Sequence, residues 1–257
     1  KKKGWVSSMT SFDVMTPAEG FRLKGDEKLS FVSELFDRIA PTYDLLNLFI
    51  SLGQTTLWRI FAYTFVLKRF LPAKGGAILD VGCGSGWSAW YLERVYRREG
   101  LAVEGMDCSE KMLEVARKQV PRCTFAHGDV CKLRYADGSF NVVTTVYTLR
   151  NFPELRSALK EMVRVTKGGG AVVILDAFPP QHAWMQSILK LWLEGVMPYI
   201  AGLLAEKKAY KYLAESIQNT VPSAKVALML EELGCEDVRV TEYTFGAAAR
   251  IVGTVRK

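Results

Sequence analysis

A glycine-rich turn with an acid before it is the first place where this sequence could do chemistry. The segment reads Asp80-Val81-Gly82-Cys83-Gly84-Ser85-Gly86, after a short apolar run and before a helical pattern. Glycine lets a ligand approach the main chain, and the start of the following helix offers free N–H groups. A dinucleotide-binding turn would need a glycine at position 87, where this chain has Trp87. The turn is therefore poorly suited to binding a pyrophosphate. The turn is better suited to binding a ligand with a carboxylate, and Asp80 could bind an amino group or a sulfonium.

Two further acids follow the next two predicted strands. Asp107 stands 25 residues beyond Gly82, where a carboxylate can accept hydrogen bonds from ribose hydroxyls. Asp129 can accept a hydrogen bond from an adenine amino group while Val130 and Cys108 pack on the ring. Each acid alone also fits a plain turn or helix start. Because the carboxyl ends of parallel strands line one crevice, the three acids together predict an adenosyl ligand such as S-adenosylmethionine.

The elements that must position these acids form an alternating pattern. Strands are predicted at 77–81, 101–106, 123–126, 140–147 and 171–175, with helices at 86–98, 111–118 and 153–166 between them. This alternation predicts an α/β fold with a doubly wound, mostly parallel sheet. Residues 237–244 and 249–255 read as a hairpin around Phe245-Gly246 that closes the chain.

The chain is interpreted as one domain, 29–257, behind a loose N-terminal arm, 1–28. Within the domain, apolar residues at helical spacing predict a helical decoration at 29–71. The core at 77–176 would bind the cofactor. A helical pair over 181–217, inserted before the last hairpin, would cover the substrate.

Composition excludes several other classes of protein. The chain has 257 residues, 49% of them hydrophobic, and a formal net charge of +7 that suits a membrane surface or an anionic ligand as well as nucleic acid. Its longest stretch without charge, 45–58, is shorter than the roughly 20 residues that a spanning helix needs. Five cysteines without a Cys-x-x-Cys pair favour a reducing cytoplasm, and two histidines give no metal-site spacing, so no metal is expected.

The glycine turn and the acids resemble those of class I S-adenosylmethionine-dependent methyltransferases. That resemblance implies a Rossmann-like sheet of seven strands whose last strand runs antiparallel. Three more segments resemble the ubiquinone/menaquinone biosynthesis C-methyltransferase family: 35–47 (Leu-Phe-Asp-Arg-Ile-Ala-Pro-Thr-Tyr-Asp-Leu-Leu-Asn), 149–151 (Leu-Arg-Asn) and 210–217 (Tyr-Lys-Tyr-Leu-Ala-Glu-Ser-Ile).

The family resemblance implies methyl transfer from S-adenosylmethionine to a ring carbon of a prenylated hydroquinone, with S-adenosylhomocysteine as product. A phenol carbon attacks well only after the hydroxyl loses a proton, which requires a base and a nearby group that stabilises the phenolate. Arg150, Asn151 and Tyr43 are the catalytic candidates, and Tyr43, Arg150 and Tyr212 the substrate contacts. The expected cofactor residues are Asp80, Gly82, Gly84, Ser85, Gly86, Asp107, Cys108, Asp129, Val130, Val146 and Tyr147.

Other partners and functions remain open at this point. Trp184, Leu191, Trp192, Tyr199 and Leu203 could form a wall for the isoprenoid tail or simply cover the core. The expected partner is a lipid quinol, and no nucleic acid is expected. The protein is expected in the cytoplasm, where peripheral contact with the membrane is compatible with the sequence. A homo-oligomer is left open. The alternatives are methylation of another small molecule or of RNA, and a module that binds the cofactor without turnover.

Overall fold

The computed structural model describes residues 15–51, 53–64, 67–72, 74–97, 100–196 and 207–257. Its centre is a seven-stranded sheet in the order β3-β2-β1-β4-β5-β7-β6. The strands are β1 (Ala77–Val81), β2 (Ala102–Asp107), β3 (Thr124–His127), β4 (Phe140–Val146), β5 (Thr166–Ala177), β6 (Cys235–Tyr243) and β7 (Ala248–Val255). β1 to β5 pair in parallel, and β7 lies antiparallel between β5 and β6. The predicted fold is confirmed.

The helices cover both faces of this sheet. They are α1 (Pro17–Arg22), α2 (Gly25–Ile39), α3 (Tyr43–Ile50), α4 (Gln54–Thr64), α5 (Leu67–Phe70), α6 (Trp87–Tyr96), α7 (Glu110–Gln119), α8 (Leu155–Val165), α9 (Ala183–Lys190), α10 (Lys207–Gln218) and α11 (Ser223–Glu232). Short 3₁₀ turns lie at Val130–Lys132 and Leu149–Asn151, after β3 and β4. No described helix is long and apolar enough to cross a membrane.

Alternate residues of the central strands bury their side chains in two separate cores. Leu79 and Val143 pack in one core with α8 and α11, whereas Ile78 and Val142 pack in the other with α4 and α6. All four side chains are fully buried. Successive side chains of a strand point to opposite faces, so a continuous apolar run is what a strand covered on both faces requires. Packing on both faces therefore holds the carboxyl ends of β1, β2 and β4 in a rigid edge of the sheet.

The chain before residue 29 is only partly the loose arm that the sequence analysis assigned. Residues 1–14 lie outside the described residues, but α1 and the first turn of α2 are helical. The local reason is a capping box at the start of α1. The Thr16 hydroxyl accepts a hydrogen bond from Glu19 N at 3.3 Å, and the Glu19 carboxylate accepts one from Thr16 N at 2.7 Å.

The predicted start of β5 is wrong by five residues, whereas the predicted end of α8 is wrong by one. α8 ends at Val165 and β5 begins at Thr166, so Gly168-Gly169-Gly170 lies inside the strand. The glycines lie in a crowded part of the strand. A Cβ on Gly170 would come within 2.5 Å of Asn141 O, and one on Gly168 within 3.0 Å of the Lys257 backbone. Close packing of main chains, rather than helix termination, explains the run.

The helical cover before the last hairpin is described in two parts. α9 continues directly into a π-helical turn, Leu191–Val196, and α10 resumes at Lys207. Tyr199 and Leu203, expected in the tail wall, lie outside the described residues. Of the expected wall residues, Trp184 in α9 and Leu191 just after it are 50% and 69% exposed, so neither is part of a buried wall.

Candidate active site

A cavity opens at the carboxyl edge of β1, β2 and β4, where the sequence analysis placed the acids. It holds about 560 Å³ of space, part of it open to solvent. Its lining includes seven of the expected residues: Tyr43, Gly82, Gly84, Asp107, Cys108, Val130 and Asn151. It also includes residues that sequence reasoning did not single out: Leu29, Val32, Phe36, Met106, Met112, Gly128, Thr148, Phe152 and Pro153.

The glycine turn brings main chain against the floor of this cavity. Gly82 has φ +70°, and a Cβ there would lie 2.7 Å from Thr148 Cγ2. Gly86 has φ +87° at the N-terminus of α6, and a Cβ there would lie 3.0 Å from Ala116 Cβ. Both positions need glycine for conformation and for space. The turn therefore exposes main chain to a ligand, as its spacing predicts.

Asp107 ends β2 and fixes the turn from the other side. Its Oδ2 accepts a hydrogen bond from Gly84 N at 2.8 Å, and its Oδ1 accepts one from Ser109 N at 2.9 Å. Burial raises the pKa of this carboxyl, and the backbone N–H groups of Ser109 and Gly84 oppose that rise. Each oxygen has a further lone pair and Asp107 lines the cavity, so the carboxylate has the capacity to accept hydrogen bonds from a ribose diol.

The adenine end of the predicted cofactor site extends into a second cavity. Asp129, His127 and Lys132 line that cavity, and Met106 and Gly128 line both. Asp129 Oδ1 accepts a hydrogen bond from Cys131 N at 2.9 Å, which caps the 3₁₀ turn after β3. Asp129 therefore lines the neighbouring cavity rather than the main one.

Asp80, at the end of β1, is buried without a partner. Its side chain is on the α4 and α6 face of the sheet, 1% of the residue is exposed, and neither oxygen accepts a hydrogen bond. Burial raises the pKa of Asp80 to about 7, although the nearby Arg59 lowers it. Arg59 and the Ser88 hydroxyl only partly offset the cost of burying this carboxyl, so a further cation would favour its ionised form.

Ser85, Gly86, Val146 and Tyr147 do not line the main cavity. The Ser85 hydroxyl donates to Asp44 Oδ1 at 2.8 Å, so this side chain holds α3 rather than a ligand. Tyr147 directs its ring toward Arg59, behind the glycine turn.

The wall opposite the glycine turn comes from α2 and α3. Leu29, Val32 and Phe36 face the cavity from α2, and the Tyr43 ring packs edge-on against Phe36 with centroids 5.7 Å apart. Polar contacts tie this wall to the cofactor core. Ser33 Oγ donates to Cys108 O at 2.8 Å, and Asp37 Oδ1 accepts a hydrogen bond from Ser109 Oγ at 2.6 Å. Asp37 and Asp44 both belong to the quoted segment 35–47, so that segment joins the wall to the cofactor loops.

Asn151 and Tyr212 form the polar corner of the cavity. The Tyr212 hydroxyl donates to Asn151 Oδ1 at 3.2 Å, and Tyr212 itself is buried against Phe31 rather than lining the cavity. Burial raises the pKa of the Tyr212 phenol, so it remains a proton donor at neutral pH. Because Asn151 Oδ1 is occupied, its Nδ2 is the free end of the amide and can donate a hydrogen bond to a ligand oxygen.

Arg150 does not face the cavity, which corrects the sequence expectation. Its Nη1 donates to Asp176 Oδ1 at 2.6 Å, its Nε donates to Ser216 Oγ at 3.2 Å, and both charged side chains are at least 95% buried. Asp176 Oδ2 also accepts a hydrogen bond from Leu149 N at 2.8 Å. The acidic partner of Arg150 therefore comes from β5.

The geometry of this edge fits an adenosyl amino acid. Three features follow one another along the carboxyl edge of the sheet. They are a ring site beside Val130, the free lone pairs of Asp107 and the buried carboxyl of Asp80, which a cation would stabilise. Among the described residues, no group of three or more histidine, cysteine, aspartate or glutamate side chains could hold a metal ion.

Comparisons with known proteins agree with this geometry. The sequence profile of the ubiE/COQ5 methyltransferase family matches residues 22–255. The chain is 33% identical to the demethylmenaquinone methyltransferase of Chlorobaculum parvum over 226 residues, 88% of this chain and 92% of that protein. It is 36% identical to the enzyme of the same name from Staphylococcus aureus over 230 residues, 88% of this chain and 93% of that protein.

A solved structure is similar in fold. It is an S-adenosylmethionine-dependent methyltransferase of Thermotoga maritima, described as a possible histamine N-methyltransferase. The TM-score is 0.60 at 21% identity, over 86% of this chain and 98% of that one. At this identity the likeness bears on the fold alone.

Proposed function

The chain belongs to the ubiE/COQ5 methyltransferase family, and from that premise we propose that it methylates a ring carbon of a prenylated naphthohydroquinone. It is an S-adenosylmethionine-dependent methyltransferase of menaquinone biosynthesis. The relatives named demethylmenaquinone methyltransferase support a demethylmenaquinol as the acceptor.

The single observation that carries this proposal is the composition of the cavity. One side is the glycine turn with Asp107, and the opposite side is the apolar wall of Leu29, Val32 and Phe36. A flat apolar ring can lie between them, with the wall excluding water from the reacting carbon. Donors for a ring oxygen lie at one corner, where Asn151 presents its amide.

The bound cofactor supplies a methyl group already activated on a sulfonium, so the chain mainly has to place the ring in line with it. Asn151 Nδ2 donates to the ring oxygen and favours its phenolate form, because a donor binds an anion more strongly than a neutral hydroxyl. Tyr43, which lines the same cavity, orients the ring or a water that removes the phenolic proton. With the cofactor bound, transfer of its methyl to the ring carbon would release the thioether with the electron pair of the broken bond, and loss of the ring proton would restore the aromatic ring.

Arg150 acts as a positioning residue in this proposal. Its ion pair with Asp176 holds the 3₁₀ turn Leu149–Asn151, and Asp176 binds Leu149 N directly. The turn in turn places the Asn151 amide. The guanidinium contributes by fixing a donor rather than by touching the substrate.

Label transfer tests the proposed reaction. The protein is incubated with methyl-labelled S-adenosylmethionine and, in separate reactions, a short-chain demethylmenaquinol, the benzoquinol equivalent that lacks the ring methyl, and bulk RNA. We expect label on the naphthoquinol ring carbon, a smaller yield with the benzoquinol and none on RNA. Asn151→Ala should lower kcat while S-adenosylhomocysteine binds as before. Label on RNA, or on a quinol oxygen, would contradict the proposal.

The proposed lipid substrate is supported by an exposed apolar face around the last hairpin. Trp184 of α9 contacts Phe245 edge-on with centroids 5.1 Å apart, and Phe245 is 64% exposed. Thr244 also donates to Gln54 Oε1 of α4, whose Leu57 and Phe61 are exposed. The face therefore extends across three elements. It suits contact with the cytoplasmic surface of a membrane that holds the quinol.

Vesicle sedimentation tests this contact. The wild type should co-sediment with anionic vesicles, and Phe245→Ser with Trp184→Ser should reduce the bound fraction without changing kcat on a water-soluble short-chain quinol. Equal binding of the double variant and the wild type would remove the face from the proposal. Leu228→Ser on α11, an equally exposed leucine elsewhere, is the matched control.

A further inference from the structure

A buried lysine side chain joins the first helices of the chain to the turn that carries Asn151. Lys28 lies near the start of α2, and only 6% of the residue is exposed. Its Nζ donates to Arg150 O at 3.3 Å and to Phe21 O, in the last turn of α1, at 3.4 Å. The centroid of the Phe21 ring lies 4.8 Å from the same Nζ. Two main-chain carbonyls and an aromatic ring therefore surround the charge.

This ammonium has no carboxylate partner among the described residues. Burial lowers the pKa of Lys28 to about 8, and no acidic group in the described part of the chain raises it again. Lysine is rarely buried without a carboxylate, because the transfer of an ammonium out of water is costly. An apolar side chain of similar length would fill the same space without that cost. Packing alone therefore does not account for a lysine at this position.

The carbonyl that Lys28 binds belongs to the peptide group that joins Arg150 to Asn151. The Arg150 side chain and Leu149 N both bind Asp176 of β5, so the sheet holds the turn from one side. Lys28 holds the same turn from α2, the helix that forms the cavity wall. Asn151, the next residue, lines the cavity. A shift of this peptide group would therefore move the amide that the proposed reaction uses.

The same helix presents apolar side chains to the cavity. Leu29, next to Lys28, and Val32, one turn further along α2, both line it. A hydrogen bond from α2 to the turn therefore fixes the separation between the apolar wall and the polar corner, which is the space that the ring must occupy. We propose that Lys28 is a positioning residue for methyl transfer, which binds the Arg150 carbonyl and so holds the Asn151 amide at a fixed distance from the wall.

This inference rests on the proposed function for the reaction in which Asn151 acts, and replacement of Lys28 by methionine tests it. Methionine has a similar length but no donor, and the loss of an unpaired buried charge offsets the two lost hydrogen bonds, so Lys28→Met should fold with a Tm close to that of the wild type. Its kcat on a short-chain demethylmenaquinol should fall about 10-fold, which corresponds to the lower end of the contribution of a hydrogen bond to a charged group. The affinity for S-adenosylhomocysteine, measured by calorimetry, should not change. Lys24→Met, at an exposed lysine one turn earlier in the chain, is the matched control and should change none of these quantities.

A double-mutant cycle separates positioning from general support of the fold. If Lys28 acts through Asn151, then Lys28→Met should have almost no effect on kcat when Asn151→Ala is already present. Hydrogen exchange gives a second measurement that needs no turnover. The segment that contains the turn 149–151 should exchange several-fold faster in Lys28→Met than in the wild type, because one of the two contacts that hold it is lost. It should exchange at the wild-type rate in Lys24→Met.

Three results would overturn the inference. An equal loss of kcat from Lys28→Met in the wild-type and Asn151→Ala backgrounds would mean that Lys28 does not act through the amide. A wild-type kcat in Lys28→Met would show that the turn needs no second contact, and unchanged exchange of the turn would show the same. If Lys28→Met does not fold, Lys28→Gln, with a shorter and neutral side chain, takes its place in the same cycle. A wild type that methylates no quinol would contradict the proposed function, whereas the exchange measurement tests the contact of Lys28 in either case.

Discussion

Replacing Asp80 with asparagine should stabilise the ligand-free protein and abolish cofactor binding. Burial raises the pKa of this carboxyl from 3.8 to about 7, so its folded form holds a proton more tightly than its unfolded form. Stability of the ligand-free wild type therefore falls as the pH rises from about 4 to 7 and stays low above that. At about 1.4 kcal/mol for each pH unit, the full penalty is about 4 kcal/mol at pH 8.

Asparagine removes the charge but leaves a buried amide, which costs about 1–3 kcal/mol without partners. The expected net gain in the free energy of unfolding at pH 8 is therefore about 1–3 kcal/mol. For a chain of this length it corresponds to a rise in Tm of roughly 2–10 °C. Near pH 4 the folded wild-type carboxyl is protonated and the unfolded one is only about half ionised, so the penalty is small and the variant should be no more stable than the wild type.

Thermal unfolding between pH 4 and 8, with and without S-adenosylhomocysteine, measures both effects. The ligand should raise the Tm of the wild type and leave that of Asp80→Asn unchanged, since the variant lacks the anion for the ammonium. Wild-type affinity should also fall about tenfold from pH 8 to pH 6, because the bound ammonium needs the ionised carboxylate. A lower Tm for Asp80→Asn at pH 8, or a difference that does not change with pH, would refute the reasoning.

Three other substitutions test separate contacts. Tyr212→Phe frees the Asn151 amide to rotate, so kcat should fall roughly 5- to 30-fold for a loss of about 1–2 kcal/mol, with S-adenosylhomocysteine affinity unchanged by calorimetry. A loss of affinity instead would place Tyr212 in the cofactor site. Gly82→Ala should lower stability to urea by about 1–3 kcal/mol, because its Cβ would meet Thr148; wild-type stability would show that the turn can relax. Arg150→Met should cost about 3–5 kcal/mol by leaving Asp176 unpaired, and Arg150→Met with Asp176→Leu should recover most of it. If Arg150→Met keeps the wild-type Tm yet loses turnover, the guanidinium acts on the substrate after all.

Local patterns in the sequence were enough to predict the sheet and the cofactor edge. The apolar run Ala77–Val81 followed by glycines predicted β1 and its turn because a strand buried on both faces leaves a strong signal. Gly82, Asp107 and Val130 were predicted in the same way, since each stands where a parallel strand ends. All three line the cavity.

The residues that sequence reasoning missed depend on contacts across long distances in the chain. Asp176 is 26 residues from Arg150 and reads as the polar end of a strand, so its ion pair has no local signature. Arg59 lies in an unremarkable helical pattern, and only its stacking on Trp87 shows that it is buried. Asp37 and Asp44 were within the quoted family segment, but their hydroxyl partners, Ser109 and Ser85, could not be read from it.

Helix α2, which lines the cavity, affects how the chain can fold during synthesis. Phe31 of α2 is fully buried, and its ring lies against Tyr212, with centroids 5.4 Å apart. The two residues are 181 positions apart (212 − 31), which a ribosome covers in roughly 10–35 s at about 5–20 residues per second. Throughout that interval an apolar helix face awaits a partner that has not yet been made. A chaperone that shields the nascent amino-terminal segment would therefore raise the yield of active protein.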